Sequence, residues 1–123
     1  GTVPYSAMAD FMCGCKIIVY CPVNGTGDRD HIKGRVIEAG FSGSCLFERS
    51  NDITRKWFDP ITDFIEFSNA SDAANKLEWA RSNDSEIEAI AGRFHMRMIA
   101  EHHPKVFWKD VLNKMGIVDG SSW

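Results

Sequence analysis

The 123-residue chain has no long apolar run: its longest, Lys16-Ile-Ile-Val-Tyr-Cys21, falls far short of the roughly 20 residues a membrane-spanning helix requires. It also lacks an excess of either charge. Its 14 basic and 17 acidic residues are interspersed and sum to −3. No basic stripe therefore stands ready to neutralise a nucleic-acid backbone or an anionic lipid surface, and neither nucleic acid nor a membrane span is expected. Gly1 to Asp10 has no cationic start followed by an apolar stretch, so no secretory leader is read there. The sequence contains no G-x-G-x-x-G, which argues against a dehydrogenase fragment. No acidic cluster closes the first predicted strand, where Cys21 and Pro22 stand, and this argues against a phosphoryl-receiver domain. The cysteines, Cys13, Cys15, Cys21 and Cys45, match no metal-ligand spacing. They are expected to be small buried hydrophobes in a reducing, cytoplasmic setting.

What is present is a periodic globular pattern. Ala7, Met8, Phe11 and Met12 share a helical spacing that Gly14 is placed to stop. The β-branched run Lys16 to Cys21 reads as a strand buried in a parallel sheet, ended by Pro22. The stretch PVNGTGDRD, residues 22–30, is a loop beyond that strand, and a helix from about Ile32 to Ser42 follows it. Gly43 then separates this helix from a second strand over Ser44 to Glu48. Strand, loop, helix and strand make a parallel crossover unit. Asn51 or Asp52 caps a short helix, and Asp63 to Phe67 is a third strand. Three helices complete the pattern. Ser71 to Arg81 is the first, and a capping box of Asn83 with Glu86 opens the second, which runs to about His102. Lys105 to Met115 is the third, with Phe107 and Trp108 as its docking face. The fold class is α/β, an open parallel sheet with flanking helices. So few strands, and a start without an initiator methionine, suggest a fragment of a longer chain.

The stretch HIKGRVIEAGFSGSCLFE, residues 31–48, carries the functional signal. In open α/β sheets ligands settle beyond the carboxyl ends of the strands. A helix start there offers free N–H groups and partial positive charge. Lys33 and Arg35 sit in that first turn, where cations oppose the dipole unless an anion meets them. Glu38 follows by about one turn, and a carboxylate can accept from both hydroxyls of a ribose diol. Cations for a diphosphate and an acid for ribose together describe a nucleotide site. The plainer alternative is an i,i+3 surface pair of Arg35 and Glu38, worth about 0.2 to 0.5 kcal/mol. His31, beside the helix mouth, fits a loop role or a ligand role equally.

The series KGRVIEAGFSGSCLFERSNDITRKWF, DFIEFSNASDAANKLEWA and IEAIAGRFHMRMIAEH resembles the C-terminal half of GT-B glycosyltransferases, in particular the CgeB-like family. The likeness runs from about Pro4 to Leu112. It implies a Rossmann-like, nucleotide-sugar-binding domain over residues 1–116, with residues 117–123 as a tail. It implies that Glu38, in Glu38-Ala-Gly-Phe-Ser-Gly43, contacts the ribose of a nucleotide-diphosphate sugar donor. Lys33 and Arg35 then lie by the diphosphate, and Asp30 takes the place of an acid facing the donor sugar. Such enzymes generally need neither bound metal nor cofactor. The acceptor site and any general base belong to an N-terminal domain that this chain does not include, so this piece on its own would be inactive.

The rival from another class is a non-catalytic α/β interaction module. Other candidates have structural readings. Asp28-Arg29-Asp30 spells D-x-D beside a cation-rich helix start, and His102 with His103 points apart on a helix. His95 reads as half-buried packing, and Trp57 as core packing in preference to a stacking platform. Ser50, Asn51 and Asp52 lie on the ligand side and suit either hydrogen bonding to a donor or helix capping.

Overall fold

The computed structural model describes residues 3–21 and 34–116. A short 3₁₀ turn, Tyr5–Ala7, leads into α1 (Met8–Cys13) and β1 (Ile17–Tyr20). Then come α2 (Gly34–Ser42), β2 (Cys45–Arg49), α3 (Asp52–Arg55) and β3 (Ile65–Phe67). The chain continues through α4 (Ala70–Arg81), α5 (Asp84–Glu101) and α6 (Pro104–Lys114). The strands form one parallel sheet in the order β1-β2-β3, with Ile17 opposite Cys45, Tyr20 opposite Glu48, and Phe47 opposite Ile65. The expected open α/β, Rossmann-like sheet with flanking helices is the observed one. No helix among the described residues is long and apolar enough to cross a membrane.

Because successive strand residues face opposite sides, the sheet divides the core in two. Ile18, Tyr20 and Leu46 pack with Met12, Val36, Ala39 and Phe58 on one face. Ile17, Cys45, Phe47, Ile65 and Phe67 pack with Ala80, Ile87 and Ile90 on the other. Helix α5 serves both clusters, its first half reaching the second and its Phe94 and Met98 reaching the first. Phe94 meets Phe58 edge to face, with ring centroids 4.9 Å apart. α2 crosses α5 closely enough that a Cβ on Gly40 would overlap the Met98 side chain and come within 3.2 Å of the Phe94 ring.

The loop between α3 and β3 is anchored to α5 by charge. Arg97 pairs with the buried Asp63 at 3.1 Å and with Asp59 at 3.4 Å, and Arg93 Nε donates to the Thr62 carbonyl. Arg55 spans Glu66 with two bonds of 2.6 and 2.9 Å and fastens α3 to β3. Asn51 caps α3, accepting from the Ile53 N–H at 2.9 Å. Asn69 caps α4 through the Asp72 N–H, and the Asp72 carboxylate accepts from the Ser68 N–H in return. That bond, with Lys76 alongside, holds the Asp72 carboxyl below its usual range.

Four expectations are corrected. Asn83 does start α5, but its side chain makes no capping bond; its amide donates to the Trp79 carbonyl at 2.7 Å, tying α5 to the end of α4. Phe107 and Trp108 are 59% and 52% exposed, so they are not a docking face within the described residues; α6 has no fully buried residue. Trp57 is 55% exposed, its ring edge-on to His102, because the buried position of that segment goes to Phe58. Of the cysteines only Cys45 is buried; Cys13 and Cys21 are exposed, Cys15 is half-buried, and all are free thiols. The buried strand ends before Cys21, and Cys13 closes α1 on its outer side.

Two measurements check this packing. Gly40→Ala should lower stability by about 1 to 3 kcal/mol in urea unfolding, since Met98 and Phe94 must move. Gly92→Ala, where a Cβ meets nothing within 4 Å, should raise it by about 0.5 to 1 kcal/mol. The second measurement is alkylation. Burial pushes the Cys45 thiol up to about 12, so at pH 8 iodoacetamide should label Cys13 and Cys21 and spare Cys45, as read by peptide mass spectrometry.

Candidate functional site

The carboxyl edge of the sheet is where β1 ends at Tyr20, β2 ends near Glu48 and α2 begins. α2 buries Val36, Ala39 and Gly40 and so turns Arg35 and Glu38, three residues apart, toward its other side. Arg35 Nη1 lies 3.3 Å from Glu38 Oε2, with the side chains 38% and 43% exposed. Oε2 is shielded from solvent and accepts no hydrogen bond among the described residues, so the pair is held by charge without hydrogen-bond alignment. The same Arg35 nitrogen lies 3.6 Å from the sulfurs of Met8 and Met12, on α1. Thioethers are weak acceptors, so among the described residues the Glu38 carboxylate is the guanidinium's strong partner.

Tyr20 and Glu48 were not singled out from the sequence. They are register partners at the ends of adjacent parallel strands and therefore point to the same face of the sheet. Glu48 is fully buried, unusual for a carboxylate. The Tyr20 hydroxyl titrates above its ordinary range, first through burial, with Arg35 pulling the other way and the negative charges of Glu48, Cys21 and Glu38 adding to the rise. Tyr20, Arg35, Glu38 and Glu48 thus form one electrostatic neighbourhood. The signal for Glu48 was visible in principle: an acid closing the otherwise apolar run Cys45-Leu-Phe, at the edge where ligands settle.

Beside this neighbourhood, α1 and α2 enclose a cleft of about 330 Å³, lined by Met8 and Met12 from one helix and by Ile37, Glu38 and Phe41 from the other. It lies at the lower end of the size range of small-molecule sites. A second cleft of about 380 Å³ opens at the amino end of the strands, between Cys13, Lys16, Glu88 and His95. It lies away from the edge where α2 starts.

Of the residues expected at the site, Arg35 and Glu38 are brought together. Lys33, Asp30 and His31 lie outside the described residues, as does Asp28-Arg29-Asp30. Ser50 bonds to the Phe67 carbonyl through both its N–H and its hydroxyl, and Asn51 serves as a cap, so structural roles engage both. His95 donates from Nδ1 to the Gly40 carbonyl at 3.0 Å. His102 packs its ring on Phe58, and His103 caps α6 by accepting from the Lys105 N–H. Among the described residues no three His, Cys, Asp or Glu side chains are grouped to hold a metal.

A family model described as "Glycosyl transferase-like" matches residues 1–113. Comparison with curated proteins and with solved structures returned no match.

The half-exposed Arg35–Glu38 pair should carry little of the folding energy. Glu38→Gln is expected to cost no more than about 0.5 kcal/mol in urea unfolding. A loss well above about 1 kcal/mol would place the carboxylate in the scaffold and not at a binding edge.

Proposed function

Because the chain belongs to the glycosyl transferase-like family, we propose that it is the donor-binding half of a GT-B type, CgeB-like glycosyltransferase. In this reading residues 1–116 are that domain and 117–123 a tail. The observation that carries the proposal is the position of Glu38: beside Arg35, at the rim of a cleft, on the helix that starts from the carboxyl edge of a parallel sheet.

The donor is a nucleotide-diphosphate sugar. Its ribose diol donates to the Glu38 carboxylate, which has acceptor capacity to spare. Its diphosphate lies by Arg35, with Lys33 and His31 at the same helix mouth and Asp30 toward the donor sugar. Arg35 near a helix start opposes the dipole, and a phosphate group there offsets that repulsion. In transfer, an acceptor hydroxyl forms a bond to the anomeric carbon as the bond from that carbon to the diphosphate oxygen breaks. The nucleoside diphosphate leaves with the electron pair, and Arg35 stabilises the charge that develops on it. The acceptor's proton goes to a base on the N-terminal half of the longer protein, outside these 123 residues, and that half also holds the acceptor. This half alone binds donor without turnover. The chemistry as proposed uses no resident metal or cofactor, and the protein works in the cytoplasm.

Amide NMR of the chain titrated with uridine diphosphate and guanosine diphosphate tests the proposal. At least one should give saturable shifts concentrated at residues 34–42. Glu38→Gln should weaken that binding about 10- to 100-fold, the effect of losing hydrogen bonds to a charged group. If neither nucleotide shifts those residues at millimolar concentration, the proposal fails and a non-catalytic module becomes the better account.

A further inference from the structure

Helix α6 has no role in the proposal above. We infer that it is an interfacial helix, whose apolar side docks on a bilayer surface bearing anionic headgroups, with the helix axis in the plane of that surface. The inference is independent of donor binding, and either can fail alone.

The first observation is the helix itself. At about 100° per residue, Phe107, Trp108, Val111, Leu112 and Met115 fall within one arc of about 140°. Phe107, Trp108 and Met115 are exposed, and Val111 and Leu112 are half-buried. No residue of α6 is fully buried, and among the described residues the helix packs broadly against no other element. The rings of Phe107 and Trp108 meet edge to face at 5.3 Å and so present one aromatic block. Contiguous exposed apolar side chains rimmed by polar ones mark a contact surface for a protein or a membrane. At 11 residues α6 is on the order of 16 Å long, too short to cross a bilayer but long enough to lie on one.

The second observation is charge, and it selects the occupant. Lys105 and Lys109 lie along one edge of the arc and Lys114 along the other, all three exposed. Asp110, the one acid in α6, lies beyond Lys114 and pairs with it at 3.0 Å. α6 thus carries three cations to one anion, in a chain whose net charge is −3. The lack of a basic stripe holds for the chain as a whole and not for this helix. A second copy of the chain is a poor occupant. Whether two α6 helices met parallel or antiparallel, a lysine edge would face a lysine edge, and like charges so placed oppose association. An anionic surface suits both edges at once. Lysine stems lie along an apolar surface while their ammonium groups reach for headgroups, and tryptophan, with an apolar body and one N–H, settles at that depth. An arc of aromatic and aliphatic side chains bounded by lysines is the pattern of a helix that lies in a membrane interface.

The inference is tested by co-sedimenting the 123-residue chain with phosphatidylcholine vesicles, with and without about 30% phosphatidylserine. The anionic vesicles should bring down the chain and shift its tryptophan emission to the blue, and the neutral ones should do neither. Lys105→Gln and Lys109→Gln should each weaken binding about fivefold. The double variant Phe107→Ser, Trp108→Ser should weaken it at least tenfold. Its urea unfolding should match that of the parent chain, because both side chains are exposed. No sedimentation with anionic vesicles overturns the inference, as does equal binding to neutral ones. Binding that survives the double variant places the lipid contact elsewhere on the molecule, against α6. Self-association without vesicles that the double variant abolishes assigns the face to a second copy. A longer form of the protein that fails to bind vesicles the 123-residue chain does bind assigns the face to another part of that protein. Both results count against the inference. Nucleotide titration is read without vesicles, so failure of the donor reading and failure of this one are told apart.

Discussion

α2 crosses α5 at Gly40, and the closeness of that crossing sets the rotation of α2 about its own axis. With no side chain at Gly40, the backbone settles against Met98 and Phe94, and His95 donates to the Gly40 carbonyl from the next turn. Val36 and Ala39 then face the core. Helical geometry leaves no choice about the rest: residues one step off that buried face emerge along the side toward α1. Arg35, Glu38 and Phe41 are those residues. A helix rotated to relieve the contact at Gly40 would carry the charged pair and the cleft wall away together.

The charged edge exists because the sheet is parallel. In a parallel sheet the strands end on the same side, so Tyr20 and Glu48 finish side by side and α2 begins close to both. A cation near a helix start, two carboxylates and a phenol thus come within mutual influence. The Arg97 cluster on Asp63 and Asp59 lies elsewhere and fixes a loop to α5.

Where periodicity alone decides structure, the sequence was legible. The run Ile17 to Tyr20 and the stripe Ile87, Ile90, Ala91, Phe94 and Met98 came out as a strand and as the buried face of α5. Misreadings arose where two residues competed for one buried place. Phe58 won over Trp57, and Cys45 was buried while Cys13 and Cys21 were not, because burial depends on what lies opposite and not on residue type. Asn83 looked like a cap and became a clamp on Trp79, since the end of α4 lies within reach of its amide. Glu48 was read only as a strand end; its complete burial and its influence on Tyr20 depend on strand register, which the sequence does not display.

From the order of residues alone came the helix and strand types and, as the plainer alternative, the pairing of Arg35 with Glu38, which rest on interactions a few residues apart; the parallel α/β class was read from the strand, loop, helix and strand pattern. Tertiary structure decided which groups from distant segments share the edge, that α1 lends two methionines to form a cleft, and that the aromatic side of α6 stays in the open. The physical reason is that spacing along one helix fixes relative angles within that helix. The absolute rotation of a helix, and whatever then stands opposite it, is set by packing between elements far apart in the chain.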